Sequence, residues 1–401
     1  MMANPSYSTD PGTSNHRPTW AEIDLDALAG NFHIVKDRVG ADVNVMSVVK
    51  ANAYGHGAVE CARRLEAEGS DWFGVALPEE GVALRNAGIT KPILCLAGFW
   101  GGQANACIDR NLVPVVYRLD MIEAFDRAAR ERGIVADVHV KIDTGMGRLG
   151  VRFDEVPDFA VALEKFPNIR VDGLMTHFAA ADEPSCGPLT EDQIQRFENA
   201  HAAFREHGFH PTYHHLANSA GIFSQPAAWR NMVRPGGVLY GLWRDTLAPA
   251  NRGENFQPVM ALHSRIILLK WVPQGETVGY GCTFEASSKT LVATIPIGYD
   301  DGYRRALSNR GRAIIRGVYA TVIGRISMDL TLIDATNVPG VQTDDEVILM
   351  GHDAGLSITA EELGKTAGTL SYEVTCGISE RVPRVYGWQP GRKEIKTKSC
   401  Q

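Results

Sequence analysis

Short apolar, β-branched runs alternate with helix-period segments eight times before about residue 245. The runs fall at 43–49, 72–76, 92–97, 113–117, 138–142, 171–177, 212–216 and 231–233. Continuous apolar runs of this length suit strands buried on both faces. Between them, stretches such as 121–132 and 193–206 repeat apolar residues at helical spacing and carry their charges on the opposite side. Eight such units in succession predict a (β/α)8 barrel of the TIM type, with the amphipathic helices as an outer ring.

After about Asn251 the texture changes to shorter alternating segments bounded by Gly and Pro, at 260–271, 290–295, 312–323 and 346–350. This pattern predicts a second, mostly antiparallel β domain. The segment 20–25 precedes the first barrel strand and is expected to pair with that β domain. Residues 1–17 are rich in Ser, Thr, Asn and Pro, with neither a basic nor an apolar block, and read as a disordered lead and not a signal peptide. The expected division is therefore 1–17 lead, 18–252 barrel and 253–401 β domain.

Composition narrows the function classes. Of 401 residues, 44% are hydrophobic and 22% charged, an ordinary globular balance. A formal charge of -7 without a basic stripe gives no reason to expect nucleic acid. No apolar run reaches the length of a membrane span. The 7 cysteines lack CxxC spacing, which fits reduced thiols in a cytoplasmic protein and disfavours a metal site.

In a barrel, functional side chains gather where strands end at the C-terminal face. Lys50 ends the first run; Lys141 lies in the fifth, with Arg148 in the loop beyond it. His177 ends the sixth, Asn218 and Ser219 follow the seventh, and Arg234, Gly236 and Gly237 follow the eighth. A lysine at the end of an apolar run is poorly hydrated, which lowers its pKa and suits it to attack an aldehyde and hold it as a Schiff base. Gly236 and Gly237 leave backbone N–H groups open to an anion, and Ser219 and Tyr54 add hydroxyls. Taken singly, each has a plainer reading: a solvated strand-end lysine, an ordinary glycine turn, a structural histidine.

The segment KANAYGHG at 50–57 resembles the pyridoxal-phosphate attachment segment of alanine racemases. Five further segments similar to that family follow in the same order: KIDTGMGRLG at 141–150, THF at 176–178, HLANS at 215–219, RPG at 234–236 with Tyr240 and Gly241, and a C-terminal set around Tyr280, Met328 and Tyr372. The resemblance runs from about Trp20 to about Tyr386. It implies pyridoxal 5'-phosphate as cofactor, bound to Lys50 and held by Tyr54, His177, Asn218, Ser219, Arg234, Gly236, Gly237 and Tyr372. It implies that Arg234 meets the pyridine nitrogen, with His215 orienting it and His177 stacked on the ring.

Racemisation removes a proton from one face of Cα and delivers one to the other, so two bases are expected. The resemblance implies Lys50 as one and Tyr280, supplied by the partner subunit, as the other; by itself Tyr280 reads as an aromatic at a strand turn. It further implies a homodimer with shared active sites, Arg148 and Met328 on the substrate carboxylate, Arg325 and Asp329 as supporting residues, and a carbamylated Lys141. The chain departs from the family's usual residues at Gly237 and Leu370, each commonly isoleucine. The reading is a cytoplasmic enzyme interconverting L- and D-alanine for peptidoglycan. Its rivals are a serine or broader racemase of the same fold, a barrel amino-acid decarboxylase, which would place an acid where Arg234 stands, and a non-catalytic binding protein, which would lack the β domain.

Overall fold

The computed structural model describes residues 17–387, which divide into a unit of Leu28–Gln257 and a second unit formed by the chain from Pro258 onward together with the segment before Leu28. In the first unit all eight expected strands are present: Asn44–Val48, Trp72–Val75, Ile93–Cys95, Leu112–Val116, Ala136–Asp143, Ile169–Met175, Tyr213–His215 and Met232–Val233. The first seven pair in parallel, each with the next, and the eighth pairs with the first. The seam between the seventh and eighth is closed by a bridge between Asn218 and Arg234, with the Arg234 N–H donating to the Ala217 carbonyl at 3.0 Å. The barrel thus closes through two of the residues singled out for chemistry.

Side chains from six strands fill the barrel interior: Met46, Trp72, Leu94, Val115, Met175 and Met232. Outside lie amphipathic helices. Leu119–Glu131 buries Met121, Ile122, Phe125, Ala128 and Ala129, the face its apolar spacing dictates. The helix expected from 193 runs from Gly187 to Glu206, because Pro188 occupies its first turn, where a missing N–H costs nothing.

The second unit is built on a ten-stranded sheet. Thr19–Ile23 pairs antiparallel with Met260–Arg265 and parallel with Arg384–Tyr386. The segment near Trp20 therefore belongs with the β domain, and the limits of the compact units fall at Leu28 and Pro258. The stretch 260–271 is two strands, Met260–Arg265 and Leu268–Val272. At the break the Ile266 N–H donates to Asp345 O and the Ile267 N–H to Thr294 O, so the chain changes partner. The stretch 312–323 is a hairpin, Arg312–Ile315 and Val318–Ile323, turning at Arg316 and Gly317, whose φ angles are both positive at 51° and 71°.

Two helices here were not expected, Ala360–Ala367 and Ser371–Gly377. The first is capped by Thr359, whose hydroxyl accepts the Glu362 N–H, and ends at Gly368 in the left-handed conformation. The lead expected to be disordered lies outside the described residues except at Arg17. That residue is folded: its guanidinium forms a fork on the fully buried Asp301 carboxylate. No helix among the described residues is long and apolar enough to cross a membrane.

Candidate active site

The first barrel strand delivers Lys50 into an uncommon turn. Ala51, Asn52, Ala53 and Tyr54 all take φ between 52° and 54°, one turn of left-handed helix made without glycine. That conformation costs roughly 1–2 kcal/mol per residue, so surrounding bonds must hold it. The Glu80 carboxylate accepts the Ala51 N–H at 2.6 Å and the Ala76 N–H at 2.7 Å, clamping the turn to the loop after the second strand. Asn52 Oδ1 accepts the Ala58 N–H at 2.8 Å, and Gly55 and Gly57, both at positive φ, close the turn. Behind it the Tyr240 hydroxyl donates to the Val48 carbonyl at 2.9 Å, and its ring lies 4.9 Å from that of Tyr54.

At the seam of the barrel, Arg234 is buried and meets only neutral acceptors. Its guanidinium donates to the carbonyls of His215 (2.5 Å), Thr176 (2.6 Å) and Leu216 (3.1 Å) and to His215 Nδ1 (2.9 Å), with His177 Nδ1 at 3.4 Å. Among the described residues it forms no ion pair with an acid. Burial lowers its pKa to about 9, which leaves it a cation at neutral pH. The same burial, reinforced by the Arg234 charge, drives His177 and His215 well below the usual histidine range, so both are neutral. Lys141 is buried nearby and held down to about 8, first by burial, then by Arg234 and Arg148. Arg148 itself is exposed.

The remaining barrel residues form a small cradle. The Gly236 N–H donates to Ser219 Oγ at 2.8 Å, and Asn218 caps the short helix Ser219–Ser224 by accepting the Gly221 N–H. A methyl group on Gly236 would stand 2.5 Å from the Tyr54 hydroxyl, so the glycine is what lets Tyr54 Oη and Ser219 Oγ converge. Gly237 follows, buried, at the start of a single 3-10 turn. Hydroxyls and backbone N–H groups brought together beside buried cations form a donor set suited to a phosphate, and these residues fit the phosphate end of pyridoxal phosphate.

Four residues of this site went unrecognised as functional in the sequence. Glu80 holds the lysine turn, and Tyr240 backs it. Gln193 reaches from its helix to donate to Thr144 Oγ1 (3.1 Å) and the His177 carbonyl (3.0 Å) and to accept the Ala179 N–H. His139 Nδ1 stands 2.8 Å from His215 Nε2. Two left a readable sign: Tyr240 stands in one of the segments that resemble the family, and His139 alternates with Lys141 in the strand Ala136–Asp143, so both leave the same face.

The second unit gathers the C-terminal candidates. Tyr280 sits between Gly279 and Gly281, both at positive φ, and is 72% exposed. The Arg325 guanidinium lies over Gly281, where a Cβ would come within 2.6 Å of it. Tyr280, Arg325, Met328 and Asp329 line one open concavity with Tyr299 and Arg305. Arg381 braces its rim, pairing with Asp329 at 2.6 Å and with Asp300. Tyr372 is half-buried in the helix Ser371–Gly377 and does not line that concavity.

A parallel barrel with a buried lysine and arginine and a cradle of donors at the C-terminal ends of its strands has the architecture of a barrel enzyme whose site suits an anionic ligand. Comparison with known sequences makes the class specific. The profile of the alanine racemase N-terminal domain matches residues 23–243, and that of the alanine racemase C-terminal domain matches 259–386. The chain is 45% identical over 379 residues to the alanine racemase of Citrifermentans bemidjiense, covering 92% of this chain and 99% of that one. The solved alanine racemase of Clostridium difficile superposes with a TM-score of 0.87 at 38% identity, covering 93% of this chain and 96% of that one. That of Bacillus anthracis with bound L-Ala-P gives 0.87 at 31%, covering 95% and 97%. The chain belongs to the alanine racemase family.

Replacing Gly236 by Ala overpacks the cradle by about 1 to 3 kcal/mol. Pyridoxal phosphate binding, followed by fluorescence titration, should weaken about fivefold or more. An unchanged dissociation constant would remove Gly236 from the cofactor site.

Proposed function

We propose that this enzyme interconverts L- and D-alanine with pyridoxal 5'-phosphate, in a cytoplasmic homodimer with shared active sites, and supplies D-alanine for peptidoglycan. The observation that carries the reading is Arg234, a buried cation paired only with neutral acceptors, in the barrel that holds Lys50. When bound, pyridoxal phosphate supplies an electron-withdrawing ring that acidifies the Cα proton of an amino acid. Lys50 Nζ would hold the cofactor's carbonyl carbon at rest and, once freed from it, would serve as the base on one face of Cα. Tyr280 Oη of the partner subunit exchanges it on the other, which accounts for the exposure of Tyr280 in its own chain. Arg234, a cation at neutral pH, would disfavour protonation of the pyridine nitrogen. Less charge would then be drawn into the ring, which favours return of the proton to Cα.

His177 would stack on the ring, while Tyr54, Ser219, Gly236, Gly237 and Tyr372 would hold the phosphate and Asn218 would add to the cofactor's contacts. Arg148 offers its donor fork to the cofactor's phenolic oxygen and the substrate carboxylate. Met328 of the partner subunit adds a backbone contact to that carboxylate, with Arg325 and Asp329 at the entrance. Lys141, flanked by Arg234, Arg148 and Lys50, is a buried amine that sheds its proton near pH 8 and so is open to carbamylation. The product is an anion that opposes the surrounding cations and orients Arg148.

Three measurements test this reading. Purified protein with the cofactor should form D-alanine from L-alanine far ahead of its action on L-serine, L-lysine or L-arginine, and Lys50→Ala should abolish the activity. Turnover confined to other amino acids would move the substrate assignment, and no turnover would remove the enzymatic reading. Tyr280→Phe should lose Cα proton exchange with one enantiomer at least about tenfold more than with the other; equal losses would argue against a base on each face. Carbamylation requires the neutral amine, so intact mass should show one added CO2 whose occupancy rises as pH passes upward through about 8 and falls on acidification. A mass without the adduct across that range would sink it.

A further inference from the structure

Arg234 donates to His215 Nδ1, and a guanidinium has no acceptor to offer in return. The His215 proton must therefore sit on Nε2. That nitrogen is 2.8 Å from His139 Nδ1, which in turn must accept, leaving the His139 proton on Nε2. The bond pattern admits one tautomer at each ring.

The barrel is shaped to keep this arrangement. His139 is fully buried and packs against Trp72, with ring centroids 5.3 Å apart, and against Tyr213 at 5.8 Å. Gly173 faces it in register on the sixth strand, and a Cβ there would stand 2.5 Å from His139 Nδ1. The glycine leaves the space the imidazole occupies. His139 Nε2 has no hydrogen-bond partner among the described residues, an unusual cost for a core polar group. An apolar side chain would avoid that cost, so the imidazole is retained for what Nδ1 does. Burial and the Arg234 charge hold His139 down to about 3, so it stays an acceptor at any working pH.

We propose that His139 is a positioning residue of the reaction: by accepting the His215 Nε2–H it locks the tautomer that lets His215 hold Arg234, and Gly173 is the space that makes the lock possible. Without the acceptor, His215 can place its proton on Nδ1, against the guanidinium, and Arg234 loses its bearing. The proposal rests on the reading that Arg234 faces the pyridine nitrogen and suppresses transamination. In that side reaction the Cα proton moves to the cofactor carbon, and after water addition a 2-keto acid leaves while its nitrogen stays on the cofactor.

The first test needs no variant. In full-length protein labelled with 15N-histidine and loaded with pyridoxal phosphate, His139 and His215 should both show the Nε2–H tautomer, assigned by His139→Asn and His215→Asn spectra. A His215 proton on Nδ1 in the wild type would overturn the lock whatever the enzyme's substrate. The second test compares keto acid formed per racemisation event. His139→Leu and Gly173→Ala should each raise that ratio about tenfold or more, as loss of one buried hydrogen bond allows. His139→Asn, whose Oδ1 can accept near the position of Nδ1, should stay close to wild type. Unchanged ratios in folded, cofactor-loaded Leu and Ala variants would refute the positioning role; failure of wild-type racemisation alone would strike the underlying function and leave the tautomer result standing.

Discussion

Arg234 brings a full positive charge to the seam of the barrel and has no acid beside it among the described residues, an arrangement that the rest of the site is organised to tolerate. An isolated buried cation is expensive unless its donors are satisfied. Here the chain ends of the sixth and seventh strands turn three carbonyls toward it, and His215 adds a ring nitrogen. Because every acceptor is neutral, none cancels the charge. Burial first, and this charge second, depress His177, His215 and Lys141 together.

The same residue ties architecture to chemistry. Its backbone bridges to Asn218 and closes the barrel, while its side chain carries the buried charge. A change at this position would disturb closure and electrostatics at once. On the opposite side of the seam the first strand pairs with the eighth, and the Val48 N–H donates to Pro235 O, which places the lysine turn beside the glycine cradle. The strain of the left-handed turn is local and is offset by Glu80, Asn52 and the two glycines. A strained segment so firmly pinned gives Lys50 a defined base to work from.

Much of the fold could be read in advance. Eight continuous apolar runs gave eight parallel strands because a strand covered on both faces has little room for polar residues. Boundaries were less legible where polar residues carried structure: the first turn of Gly187–Glu206, or the helix that Thr359 and Glu362 cap. The left-handed turn could not be read in advance, since in Ala-Asn-Ala-Tyr only the asparagine favours that conformation and four successive residues adopt it. Glu80 and Gln193 looked like ordinary helix residues, because their bonds reach segments distant in the chain.

What the sequence determined by itself was periodicity and residue chemistry: the barrel, the β domain, and the set of lysine, arginine, histidine, glycine and tyrosine at strand ends, whose order resembles one family. These are local properties, fixed by spacing and side-chain type. Only the tertiary structure decided which of them meet. The pairing of Thr19–Ile23 with Met260–Arg265, the acceptors around Arg234, and the chain from Arg234 through His215 to His139 all depend on segments tens to hundreds of residues apart. Hydrogen bonds are directional and short, so tautomers and buried charge are settled by distances that no linear pattern encodes.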